Sequence, residues 1–211
     1  MDPFELLQIP PSFDLDLNAL SARHRELSRA LHPDRYVGAP SAERRQALGR
    51  AISVNEAWRR LKEPVSRAEA LCERYGVPYG ERAEPKASPD WLMEVMELRE
   101  ALAEARRARD IARVEQLTRD VKAAREATLE RLTAHFRALS GGHVAEDSAA
   151  KDSAADGAVE RGRGEEDSAA DGGASALRGA VSHEALLREL GKLRYYRRFM
   201  DEAGATLDEL A

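Results

Sequence analysis

Apolar residues recur along much of this 211-residue chain at alternating steps of three and four, the spacing that places them on one face of an α-helix. A clear example runs through Leu17, Leu20, His24, Leu27 and Leu31. No run of β-branched and aromatic residues alternates with polar ones between turn signals, as strands would require. Aromatic residues make up 5% of the chain and hydrophobic residues 43%, a balance that suits helices packed through leucine and alanine. The sequence therefore predicts an all-α protein.

The first residues of the chain carry the signals that begin a short helix. Asp2 can cap it, Pro3 occupies the first helical position, and Glu5 completes a capping box. These residues predict a helix that continues through Leu7.

A third helix is predicted from near Ser41 to Pro64, where the proline stops it. The Leu17 to Leu31 stripe predicts the second helix, which a loop joins to the third. We therefore expect these two helices to pack antiparallel. The residues expected to share one side of the third helix are Leu48, Ile52, Asn55, Trp58 and Leu61.

The loop between the second and third helices contains His32, Pro33 and Asp34. Because Pro33 disfavours helical geometry at His32 and has no backbone donor, the chain should turn there and present His32 and Asp34 at the mouth of the hairpin. The alternative is that Pro33 only ends the helix and leaves His32 and Asp34 in solvent with no functional role.

A basic face is predicted beside this corner. Arg23, Arg25 and Arg29 point away from the leucines, and Arg35 follows the corner. Such a face can dock onto an acidic protein surface. A solvated helix face is the alternative explanation. His24 lies on the apolar stripe and is expected to be a core or boundary residue rather than a ligand.

The second half of the chain contains three further helices, expected at about 89–107, 110–139 and 182–203, which together predict a three-helix bundle. On the first of them, counting 100° per residue places a core stripe at one angle. That stripe consists of Trp91, Val95, Leu98, Leu102 and Ala105.

The same helix carries a second face about 180° away. The face consists of Leu92, Met93 and Met96, continued by Glu97, Glu100 and Glu104. Since each helix of a three-helix bundle needs one broad stripe, this face is surplus to the core and favours a partner surface. Packing against another helix of the same domain is the alternative.

An acidic, low-complexity insert is predicted at 140–180. Residues 143–172 contain nine acidic and three basic residues, a local net charge of −6 within a chain of net charge −5. The hexapeptide DSAADG occurs twice and large apolar residues are scarce, so we expect disorder there. Whether the insert binds a partner is left open.

The N-terminal region resembles a J-domain, the module that stimulates ATP hydrolysis by DnaK-type chaperones. The resemblance rests on the short first helix, the basic second helix, His-Pro-Asp and the run NEAWRRLKEP. The chain as a whole is similar to the iron–sulfur co-chaperone family HscB. SVNEAWRRLKEPVSRAEALC, from Ser53, is similar to the family run INxAWxxLxxPxxRAEYLL, and WLMEVMELREALAEA, from Trp91, to FLMEQLELREEL. The resemblance covers nearly all of the chain apart from the insert.

The resemblance implies two partners, a DnaK/HscA-type chaperone and the iron–sulfur scaffold protein IscU. It implies chaperone binding through His32, Pro33, Asp34, Arg23, Arg25 and Arg29. It implies scaffold binding through Leu92, Met93, Met96, Glu97, Glu100, Glu104 and Tyr195. This chain departs from the family pattern mildly, with Met96 in place of leucine, Tyr195 in place of phenylalanine, Arg35 in place of lysine and His24 in place of an aromatic residue.

The expected domains are a J-domain at 1–75, a linker at 76–87 and a scaffold-binding three-helix bundle at 88–211 interrupted by the insert. The expected function is that of a co-chaperone that stimulates the chaperone and delivers IscU to it for cluster transfer. The alternative is a general J-protein that presents other clients to a housekeeping chaperone.

Other classes of protein fit the sequence less well. One cysteine, Cys72, and five scattered histidines offer no zinc site, and His32 and Asp34 lack further catalytic partners, so we expect no cofactor, no metal and no enzymatic activity. Little aromatic interleaving accompanies the arginines, so no nucleic-acid partner is expected. With no apolar run of membrane-spanning length, we expect no membrane partner and a cytoplasmic protein.

Overall fold

The computed structural model describes residues 1–80, 82–83, 85–155 and 169–211, and the side chains of 142–182 lie outside this description. The described residues form helices joined by turns and loops and contain no strand, so the all-α prediction is confirmed. The chain forms two units, Met1–Pro78 and Tyr79–Ala211. Among the described residues, none of the helices combines the length and the apolar character that crossing a membrane requires.

The first unit contains four α-helices and one short 3-10 helix. These are α1 (Pro3–Leu7), α2 (Leu17–Ala30), the 3-10 helix (Pro33–Tyr36), α3 (Ser41–Lys62) and α4 (Pro64–Arg74). The predicted cap of α1 is present, since Asp2 Oδ1 accepts a hydrogen bond from the Phe4 amide at 2.8 Å. Asp16 caps α2 in the same way, through the amides of Asn18 and Ala19.

Of the residues expected to share one side of α3, two large apolar ones lie largely in solvent. Leu61 is fully buried, but the side chains of Leu48 and Ile52 are 55% and 50% exposed. The helix instead packs on α1, α2 and α4 through a neighbouring stripe. That stripe is Ala47, Val54, Ala57 and Leu61. This stripe is buried because its alanines allow the neighbouring helices to approach more closely than larger side chains would.

Helix α4 was not predicted from the sequence. It begins at Pro64, the proline that ends α3. Pro64 occupies its first position, and Glu63 Oε2 accepts a hydrogen bond from the Ser66 amide at 2.8 Å. Arg67, from the middle of the helix, is buried and donates to the Phe13 carbonyl at 2.9 Å. Burial lowers the pKa of its guanidinium. Arg67 thereby ties the loop before α2 to α4.

The second unit is a three-helix bundle of α5 (Pro89–Ala108), α6 (Ile111–Ala155) and α7 (Ala169–Leu210). Ser88 Oγ caps α5 by accepting from the Trp91 amide at 3.3 Å. The centre of the bundle is formed by Leu102, Ala105, Val114, Leu117, Val121, Tyr196, Phe199 and Ala203.

The bounds of the last two helices differ from the predicted ones. The backbone of α6 continues past 139 to Ala155, and α7 begins at Ala169 rather than near 182 and ends at Leu210. Alanine, the residue with the highest helix propensity, is frequent in these extensions. The centre of the insert predicted at 140–180, residues 156–168, lies outside the described residues.

Candidate functional site

The His-Pro-Asp sequence lies at an exposed corner of the first unit. α2 ends at Ala30, His32 has extended backbone, and Pro33 begins the 3-10 helix. The side chain of Asp34 is 85% exposed, and its Oδ2 lies 3.4 Å from His32 Nδ1. The same nitrogen lies 3.4 Å from the Asp34 amide, so His32 helps to hold the turn while the carboxylate of Asp34 faces solvent.

Three arginines share a shallow depression beside this corner. Arg25, Arg29 and Arg35 line it together with Glu26. All three arginines are exposed, so most of the predicted basic face is present on the surface of the unit. Arg35, which follows the corner in sequence, thus lies beside the two arginines of α2.

Arg23 has a different environment from the other predicted arginines. Its Nε donates to the Leu7 carbonyl at 3.1 Å, its Nη1 lies 2.7 Å from Glu26 Oε2, and its remaining nitrogen contacts the side chain of Gln8. Arg23 therefore joins the end of α1 to α2, and its charge is largely engaged within the unit.

His24 is a boundary residue, as predicted. Its ring stacks on Trp58 with centroids 4.6 Å apart, and its Nε2 lies 2.8 Å from Asn55 Oδ1. These contacts join α2 to α3 behind the basic face.

The second face of α5 is exposed to solvent. The side chains of Leu92, Met93 and Met96 are 51%, 59% and 69% exposed. On the opposite side of the helix, Leu102 and Ala105 are buried. Among the described residues, the alternative that this face packs within its own unit is therefore wrong.

Three glutamates extend this apolar face along α5. Glu97, Glu100 and Glu104 are exposed, and none of them forms an ion pair with another residue of the described chain. Their spacing places them on one side of the helix, so the apolar face has an acidic flank.

Tyr195, from α7, borders the same face. Its hydroxyl donates to the Val95 carbonyl at 3.3 Å, and its ring meets the Trp91 ring edge-on with centroids 5.5 Å apart. Burial raises the pKa of the Tyr195 hydroxyl. Tyr195 and Leu92 line one groove between α5 and α7, so the structure brings these two predicted residues together.

The groove also contains residues that the sequence analysis missed. Lys192 and Arg198 line it from α7, and the Lys192 ammonium lies 5.7 Å from the centroid of the Trp91 ring. Their spacing from Tyr195, three residues to either side on one helix, was the available signal. The part of the chain that the structure describes contains no group of three histidine, cysteine, aspartate or glutamate residues that could hold a metal ion.

The chain combines a helical hairpin that carries an exposed His-Pro-Asp corner, as in a J-domain, with a three-helix bundle whose first helix has an exposed apolar face. Residues 87–161 match the family model described as the HSCB C-terminal oligomerisation domain. The chain is similar in structure to the chaperone HscB from Vibrio cholerae, with a TM-score of 0.69, 24% identity and 100% of both chains covered. It is also similar to the human co-chaperone protein HscB, with a TM-score of 0.68 and 22% identity over 97% of this chain and 81% of that one. The resemblance to HscB-type proteins is therefore confirmed: residues 87–161 match the family's C-terminal domain, and the described part of the chain has the HscB fold.

Proposed function

We propose that this protein is a co-chaperone of iron–sulfur cluster assembly. It stimulates the ATPase of a DnaK/HscA-type chaperone through its first unit and delivers an IscU-type scaffold protein through its second. The observation that carries the proposal is the exposed triad Leu92, Met93 and Met96, which lies on a helix whose opposite face is core and within residues that match the HscB family model.

The chaperone contact is proposed at the His-Pro-Asp corner. The carboxylate of Asp34 is 85% exposed, and the cations of Arg25, Arg29 and Arg35 lie on the same unit. Such a surface presents one acceptor beside several positive charges, so it complements an acidic chaperone surface that supplies a basic side chain for Asp34. Complementary charges of this kind set the rate and the orientation of docking.

The scaffold contact is proposed on α5. The three apolar side chains are more than half exposed to water. Their burial by a partner removes apolar surface from water, which favours binding. The flexible thioethers of Met93 and Met96 can adapt to the surface opposite. A general J-protein has no evident use for such a triad on a unit that is separate from its His-Pro-Asp corner.

The test is calorimetric titration of the purified scaffold protein, free of cluster, into the full chain. Replacing Leu92, Met93 and Met96 together with alanine should abolish detectable binding, because buried apolar anchors typically contribute roughly 1 to 4 kcal/mol each to an interface. The matched control is Leu48→Ala with Ile52→Ala, which removes exposed apolar side chains from the first unit.

The control variant should bind the scaffold as the wild type does. Both variants should retain wild-type helicity by circular dichroism. Unchanged scaffold affinity in the triple variant would contradict the proposal.

A further inference from the structure

The groove between α5 and α7 is continuous with the exposed apolar face of α5. Leu92 belongs to both, because it is 51% exposed and also lines the groove. Tyr195 and Arg198 form the opposite wall, on α7. A partner seated on Leu92, Met93 and Met96 therefore lies next to residues of α7.

Most charges along the α7 wall are compensated within the unit. Glu189 Oε1 lies 3.1 Å from the Lys192 ammonium, and its other oxygen lies 2.7 Å from Arg131 Nε. Arg188 is paired with Glu184 one turn away. These ion pairs leave little free charge at that end of the groove.

Arg198 is different because its guanidinium is exposed and forms no ion pair with any residue of the described chain. It lies close enough to Tyr195 to act electrostatically on its hydroxyl, as do Arg99 from α5 and the carboxylates of Glu94 and Glu202. Neither carboxylate is within ion-pair distance of Arg198. Arg198 therefore carries a positive charge that no ion pair neutralises within the described chain, at the edge of the groove.

The opposite flank of the apolar face carries the reverse charge. Glu97, Glu100 and Glu104 are exposed and unpaired among the described residues. The surface thus runs from acidic on α5, through an apolar centre, to basic on α7. A partner whose charges run in the opposite order fits it in one orientation only, since like charges brought together oppose the reversed one.

We propose that Arg198 is a further partner-binding residue and that the groove takes an apolar segment of the scaffold protein whose acidic side chain lies opposite Arg198. The proposal rests on the proposed function, because the scaffold's main anchor is the apolar face of α5. It adds a second helix and a charge of fixed sign to that contact. The charge pair at Arg198 orients the scaffold on the apolar anchor.

The experiment is calorimetric titration of purified, cluster-free scaffold protein into the full chain at low and at physiological ionic strength. Arg198→Glu should weaken binding by about tenfold or more, because an attraction becomes a repulsion. Arg198→Lys keeps the charge and should stay within about threefold of the wild type. The loss should be larger at low salt, where charges are less screened.

The matched control is Lys122→Glu, which makes the same change of charge at an exposed position of α6 that does not line the groove. This variant should bind within about twofold of the wild type, since it lies outside the proposed contact. All variants should unfold at the wild-type temperature.

The possible results separate this proposal from the proposed function. Wild-type protein that fails to bind the scaffold overturns both. Normal wild-type binding with Arg198→Glu no weaker than Lys122→Glu overturns only the role of Arg198. A change in the self-association of Arg198→Glu during sedimentation, with unaltered scaffold binding, assigns the groove to a second copy of this chain and also overturns it.

Discussion

The hydroxyl of Tyr195 donates to the backbone carbonyl of Val95 at 3.3 Å, across 100 residues of sequence. This hydrogen bond joins α7 to α5 beside the exposed apolar face. It also explains how a tyrosine is accommodated where the resembling family has phenylalanine, because the added hydroxyl finds an acceptor.

Replacing Tyr195 with phenylalanine should lower the free energy of unfolding by about 0.5 to 1.5 kcal/mol, the net contribution of one hydrogen bond. Scaffold binding should change little, because the aromatic ring remains against Trp91. Urea denaturation followed by circular dichroism measures the first effect and calorimetry the second. Wild-type stability together with lost scaffold binding would show that the hydroxyl contacts the partner instead.

Replacing Arg67 with methionine should destabilise the protein by roughly 1.5 to 3 kcal/mol. The variant leaves the Phe13 carbonyl without the guanidinium that donates to it and removes the cation 5.4 Å from the centroid of the Phe13 ring. Urea denaturation is the measurement, with the exposed Arg59→Met as the control. The control should change stability by less than about 0.5 kcal/mol. Equal effects of the two substitutions would remove the structural role assigned to Arg67.

Tyr196 should make the protein sensitive to alkali. Burial raises the pKa of its hydroxyl to about 12, above the ordinary value of 10.0. The folded state therefore holds a proton that the unfolded state releases, so the stabilisation is complete below pH about 10 and is lost as the pH rises towards about 12. A shift of this size corresponds to roughly 2 to 3 kcal/mol.

The measurement is the free energy of unfolding from urea titrations between neutral pH and pH 11, compared with Tyr196→Phe. The variant lacks the ionisable group, so its stability should fall less steeply in alkali. Parallel pH profiles would contradict the assignment of the alkaline loss to Tyr196.

The parts of the molecule predicted from sequence are those set by local geometry. Pro33 ends the preceding helix because it disfavours helical geometry at His32, so the position of the exposed corner was predictable. On α5, two apolar stripes about 180° apart distinguish a core face from a free one without reference to any other helix. The capping signal at Asp2 marks a helix start in the same local way.

Features that depend on how the helices pack against one another could not be predicted from the sequence. On α3, the Leu48 and Ile52 stripe competes with a neighbouring stripe that contains Ala47 and Val54, and only the positions of α1, α2 and α4 determine which is buried. Arg23 resembles Arg25 in sequence, but its contact with the Leu7 carbonyl depends on how α1 ends. The groove at Arg198 exists only because α5 and α7 pack side by side.

The central claim is that the exposed carboxylate of Asp34 drives chaperone stimulation. Asp34→Asn removes its charge at nearly constant shape, and its 85% exposure leaves little effect on folding, within about 0.5 kcal/mol. Loss of an interfacial ion pair with a chaperone cation should weaken the productive complex by roughly 2 to 5 kcal/mol. The control is Asp208→Asn, an exposed aspartate of the second unit.

The most direct measurement is single-turnover ATP hydrolysis by the cognate DnaK/HscA-type chaperone, with wild-type, Asp34→Asn and Asp208→Asn proteins at matched concentrations. We expect the wild type and Asp208→Asn to accelerate hydrolysis equally and Asp34→Asn to leave it at the basal rate, with all three proteins unfolding at the same temperature. Undiminished stimulation by Asp34→Asn would contradict the co-chaperone mechanism.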